Sequence, residues 1–85
     1  MFFAQNLAKG LSIPAEALGE VRIIICGRSN VSIENHKGVL EFGTARIRIA
    51  FDRGCAVIYG SEMEISTVNR SDIVICGNID RVELE

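Results

Sequence analysis

Arg46-Ile47-Arg48-Ile49-Ala50-Phe51-Asp52-Arg53-Gly54-Cys55-Ala56-Val57-Ile58-Tyr59-Gly60 is the stretch that decides the fold class. In an extended chain, Ile47, Ile49 and Phe51 fall on one side, and Arg46, Arg48 and Ala50 on the other. That period of two is what a strand with one buried face requires. Asp52-Arg53-Gly54 reads as a three-residue hairpin loop in which Gly54 supplies a positive φ. The chain then returns through an apolar run, Cys55 to Tyr59, closed by Gly60. Strand, tight turn and strand within fifteen residues predict an antiparallel hairpin.

The same alternation extends in both directions. Toward the C-terminus, Met63 and Ile65 alternate with Glu62, Glu64 and Ser66, and Ile73 and Ile75 with Asp72 and Val74. Ile79, Val82 and Leu84 are spaced unevenly, which predicts a bulge near Asp80-Arg81. Toward the N-terminus, Val21, Ile23 and Ile25 alternate with Arg22, Ile24 and Cys26, and Val31 and Ile33 flank Ser32. Asn35-His36-Lys37-Gly38 has Asn first and Gly last, as a type I turn prefers. Gly60-Ser61, Asn69-Arg70-Ser71 and Gly77-Asn78 read as further breaks. Residues 2–19 differ: Phe2, Phe3, Leu7 and Leu11 recur near every fourth position, and Ser12, Pro14 and Gly19 are helix start and stop signals.

The expectation is one mainly β domain over residues 1–85. A short N-terminal helical segment at 2–19 precedes about seven short antiparallel strands at 21–84, arranged as a β-roll or sandwich-like meander. A small β-solenoid is the alternative, because Ile24-Ile25-Cys26-Gly27 resembles Val74-Ile75-Cys76-Gly77, though without a fixed period. The segments 21–26, 55–59 and 73–76 are apolar on both faces. Such strands are covered on both sides, which predicts a homo-oligomer or a standing protein partner.

Eighty-five residues leave no room for a Rossmann fold or an eight-stranded α/β barrel. With 48% hydrophobic residues and one proline the chain is not a disordered or proline-rich linker. A net charge of −2 argues against holding nucleic acid or anionic lipid by bulk charge. The longest apolar runs are far short of the ~20 residues of a spanning helix, and the N-terminus lacks a signal-peptide pattern. The chain is therefore expected in the cytoplasm, without direct membrane insertion.

Cys26, Cys55 and Cys76 are widely spaced and form no C-x-x-C pair, so neither a disulfide framework nor a zinc site is expected; buried thiols are. His36 is the sole histidine. At an exposed hairpin tip it could serve as a base or a ligand, but no second ligand or nucleophile is placed beside it. No catalytic residue, metal or cofactor is expected, and His36 reads instead as a turn residue or a surface anchor. Arg46 and Arg48 share a strand face that Arg22 could extend. Without aromatic neighbours, and with Glu62 and Glu64 available across the sheet, this face reads as solvated and salt-bridged.

Ile33-Glu34-Asn35-His36-Lys37-Gly38-Val39-Leu40 resembles the most recognisable stretch of the YabP/YqfC family of sporulation proteins, in its YqfC-like branch. The Pro14-containing N-terminal segment, the apolar strand Ile23 to Gly27, Ile47-Arg48-Ile49, the strand ending at Gly60 and the closing Ile73, Ile75, Gly77 and Ile79 fit the same pattern. The resemblance covers residues 13–84. The family often carries a proline before the first strand, where this chain has Gly19-Glu20, and the three cysteines are not family positions. The resemblance implies a non-enzymatic protein of endospore formation, acting in envelope, cortex or coat assembly. It also implies a place in the mother-cell cytoplasm, peripheral to a membrane through a membrane-protein partner. Glu34, Asn35, His36, Lys37 and Gly38 are then the candidate interaction hairpin. A self-assembling structural spore protein is the first alternative; a small metal protein or enzyme using His36 with a cysteine is the second.

Overall fold

The computed structural model describes residues 19–85. Among them there are six strands and no helix: β1 (Arg22–Cys26), β2 (Asn30–Glu34), β3 (Gly38–Phe42), β4 (Arg46–Phe51), β5 (Gly54–Val68) and β6 (Asp72–Leu84). The helical segment expected at 2–19 lies outside the described residues except for Gly19, which stands in a turn. The strands form one sheet in the order β1-β2-β6-β5-β4-β3, and every pairing is antiparallel. This excludes the solenoid, whose stacked coils pair in parallel. It also corrects the simple meander. Strands β3 to β6 do follow one another across the sheet, but β2 lies against β6, so the β2–β3 connection is a crossover.

Six strands replace about seven because Gly60 and Gly77 do not end strands. They lie within β5 and β6, which bend together there. The pairing of β5 with β6 shifts register between Tyr59 and Gly60, between Ser61 and Glu64, and between Ile65 and Thr67. The first shift leaves Asp80 as an extra residue on β6, where the uneven spacing of Ile79 and Val82 predicts a bulge. At Gly77 φ is +145°, and a Cβ would stand 2.7 Å from Met63 Cα and 2.8 Å from the Glu62 carbonyl oxygen. Only glycine fits so close an approach of two bent strands.

The bend interrupts the ladder, and the two short hairpin turns supply the missing partners. Gly60 N–H donates to the Ala45 carbonyl and Met63 N–H to that of Thr44, both in the β3–β4 turn. Gly77 N–H donates to Ser29 and Ile79 N–H to Arg28, both in the β1–β2 turn. Backbone groups that would otherwise be unsatisfied in the interior are thereby paired.

Bending lays one half of the sheet over the other. Val31 and Ile33 of β2, Ile73 and Ile75 of β6, Ile47 and Ile49 of β4, and Ala56 and Ile58 of β5 form one buried cluster, with Met63 and Ile79 at the fold line. Strands β2 and β4 are separated by β6 and β5 within the sheet, so their side chains meet only because the sheet doubles back. Each fully buried isoleucine contributes about 1.5–3 kcal/mol.

Two-sided burial holds for Cys55, Ala56, Val57 and Ile58, all of which are buried. It does not hold for β1, where Ile25 and Cys26 are exposed. The Asp52-Arg53 turn also departs from expectation. Arg53, not Gly54, takes the positive φ of 75°, and Gly54 is required because a Cβ there would run into the Glu85 carbonyl oxygen.

Candidate functional site

The segment Glu34 to Gly38 is not a hairpin. Strands β2 and β3 lie far apart in the sheet order, and residues 35–37 carry the chain from one half of the folded sheet to the other. Glu34 ends β2 opposite Arg22 and Asp72, with a long ion pair of 3.8 Å to Arg22. Asn35 adopts φ 67°, a conformation asparagine tolerates better than most residues. Its side-chain amide donates to the Glu20 carbonyl at 2.8 Å. Lys37 N–H donates to the Ala50 carbonyl at 2.7 Å, and its side chain is exposed. Gly38 has φ 130°, which disfavours any side chain there.

His36 is buried, with 6% of its surface exposed. Gly38 N–H donates to Nδ1 at 2.9 Å, so Nδ1 keeps its lone pair and the proton resides on Nε2. That proton is donated to the Asn69 carbonyl at 3.1 Å. The His36 N–H donates to the Ser71 carbonyl. Asn69 itself closes the β5–β6 turn, its Oδ1 accepting from Ser71 N–H and Asp72 N–H. His36 therefore pins the crossover to the β5–β6 turn. It is not the accessible tip the sequence suggests, and both ring nitrogens are occupied by backbone groups. Of the five residues, Lys37 is the one whose side chain is exposed.

The arginine face is salt-bridged, but not to Glu62 and Glu64. Arg46 meets Glu41 at 2.9 Å, and that hydrogen bond, followed by the charge itself, raises the Arg46 pKa above the ordinary arginine value. Arg48 lies 3.6 Å from Glu85 and 3.7 Å from Cys55 Sγ. Arg22 is on the other half of the sheet and adds nothing to the stripe. An aromatic does stand in this face: Tyr59 is opposite Arg46 on β4 and Arg81 on β6. The Arg81 guanidinium sits 4.1 Å from the Tyr59 ring centre and also pairs with Glu83 at 2.8 Å. Because Arg46 and Arg81 are each matched by a carboxylate, the row offers little to a phosphate.

All three cysteines are free thiols, but only Cys55 is buried. Cys76 is half-buried with Sγ 3.0 Å from Asn30 Oδ1, and Cys26 is exposed on the β1 edge. The expectation of three buried thiols is corrected accordingly.

Exposed large apolar side chains lie on the two sheet edges, which the sequence alone did not locate, and at the ends of β5 and β6, where Val68 is 56% and Leu84 65% exposed. On β3, Leu40 is 56% exposed and Phe42 55%, with Val39 beside them. The β3–β4 pairing skips Leu40 between Val39 and Glu41, so Leu40 is a bulged residue on an edge. On β1, Ile25 is 53% exposed and the pairing with β2 is regular from Arg22 to Cys26. Edge strands with apolar side chains are surfaces that other chains can cover.

A family model described as the YabP family matches residues 18–85. The chain is also similar to the "Uncharacterized protein YqfC" of Bacillus subtilis (strain 168), 32% identical over 77 residues, a match covering 89% of this chain and 83% of that protein. The family model spans all six strands and the relative aligns over most of both chains, so this chain belongs to the YabP family.

Proposed function

We propose that this chain is a non-catalytic sporulation protein, a small protein-interaction module in endospore formation that acts in envelope, cortex or coat assembly with a membrane-protein partner. The observation that carries the reading is that, among the described residues, β1 and β3 have no further strand beside them and carry apolar side chains. The β3 edge is the partner surface. Its bulge breaks the regular ladder and presents Leu40 and Phe42 as exposed apolar side chains, and the exposed Lys37 immediately precedes the strand. Side chains of this kind anchor protein contacts. The occupied nitrogens of His36 support a structural role for that residue rather than a role as general base.

The test is a tagged pull-down from sporulating cells after mild crosslinking, comparing the native chain with a Leu40→Ser/Phe42→Ser double variant. Recovery of an envelope or membrane protein with the native chain, and its loss with the variant, is the expected result. Equal recovery with both would remove β3 as the working edge.

A further inference from the structure

We propose that protonation of His36 releases the start of β3, so that this edge is fully seated only while the imidazole is neutral. The inference rests on the reading of β3 as the partner surface, and it adds how that surface is regulated. The two ring nitrogens hold different parts of the chain. Nε2–H donates to the Asn69 carbonyl at 3.1 Å, and Nδ1 accepts from Gly38 N–H at 2.9 Å. Gly38 is the first residue of β3. An imidazolium donates from both nitrogens and accepts at neither. Protonation therefore keeps the Asn69 bond and turns the other into two N–H groups that face each other. The His36 N–H also keeps its bond to the Ser71 carbonyl. The crossover thus stays tied to the β5–β6 turn, and the loosening falls on the β3 side. There the ladder to β4 is regular only at Gly38 and Val39 before the bulge interrupts it, so the start of β3 has few other holds.

Nothing described around the ring offsets that loss. His36 is 6% exposed, so water is poorly placed to take up the displaced N–H groups or to solvate the charge. The charged side chains on the elements packed around it are Glu34 and Lys37 on its own segment, Arg70 and Asp72 at the β5–β6 turn, and Asp52 and Arg53 after β4. They balance in sign, and none is hydrogen-bonded or ion-paired to the imidazole. His36 is also the sole histidine. Between about pH 5 and about pH 8 it is the one side chain that changes charge at its ordinary value. A free imidazole takes up its proton at about pH 6.5. The neutral form is the one that fits the fold, so the pinned state holds above that range and gives way as the pH falls below it.

An NMR titration of the native chain tests this without any partner. The ring protons of His36 report protonation, and the Gly38 amide reports its own bond. From about pH 8 to about pH 5, the Gly38 amide proton should move upfield in step with ring protonation, while the Asp72 amide, bonded to Asn69 Oδ1, stays in place. The denaturant midpoint of the native chain should fall over the same interval by more than that of a His36→Asn variant, whose side-chain oxygen can accept from Gly38 N–H but does not titrate. A ring that protonates with the Gly38 amide unmoved would overturn the proposal. So would a ring that stays neutral throughout the interval, or two midpoints that fall in parallel. In the pull-down, recovery of the envelope partner by the native chain should drop several-fold between about pH 7.5 and about pH 5.5, and recovery by His36→Asn should not. If no partner is recovered at either pH, the proposed function fails, and the titration still decides the switch.

Discussion

The two edges of this sheet solve the same problem differently. Strand β3 has an extra residue at Leu40 and a Glu41 held by Arg46, so its backbone is irregular and its apolar groups project as separate side chains. Strand β1 keeps a regular ladder and carries three consecutive isoleucines. A bulged edge resists strand addition and favours side-chain docking, whereas a flat edge favours strand addition. Among the described residues the two edges of one small sheet therefore suit different kinds of partner, and backbone regularity separates them more sharply than apolar content does.

The harshest way to break the comparison is to remove the bend that holds both edges to one core. Gly77→Val should cost about 3 kcal/mol or more, because its Cβ would press on Met63 Cα and the Glu62 carbonyl oxygen. Thermal melting should show a large drop, with both edges losing their order together. Next comes His36→Ala, which leaves the Asn69 carbonyl and the Gly38 N–H without their partners. A loss of about 2–3 kcal/mol is expected, read as a lower denaturant midpoint with an unchanged slope. Stability unchanged by His36→Ala would mean that the crossover is held without the imidazole.

Substitutions on the edges themselves sharpen the contrast. Ile25→Lys and Leu40→Lys, both at exposed positions, should each change stability by no more than about 1 kcal/mol, as surface positions do. Their effects on association should part: Ile25→Lys should spare recovery of the envelope partner, and Leu40→Lys should abolish it. The smallest effect belongs to Glu41→Gln, which weakens an exposed ion pair with Arg46 and should leave the melting temperature unmoved.

The residues facing the core were legible in the sequence, because a period of two is a local property of the chain. Ile47, Ile49, Ile73 and Ile75 were assigned to one face by alternation, and all are fully buried. The bulge at Asp80 was legible for the same reason, as a break in spacing. The bend was not. A glycine ends a strand or lets it bend with equal ease, and which occurs at Gly60 and Gly77 depends on what packs across from them. Strand order was equally out of reach, since nothing local tells β2 to lie against β6 rather than β3. That one gap misplaced the whole Glu34–Gly38 segment. A turn between neighbouring strands would expose His36, whereas a crossover beneath the β5–β6 turn buries it.

The central claim is that β1 and β3 are edges of different kinds. Amide hydrogen exchange along the two strands tests it most directly, because an amide on an edge is protected only where the neighbouring strand bonds it. The account predicts that the β1 amides bonded to β2 are protected alike along the strand, while protection of the β3 amides bonded to β4 breaks at Leu40. Unbroken protection along β3, or a break within β1, would contradict it.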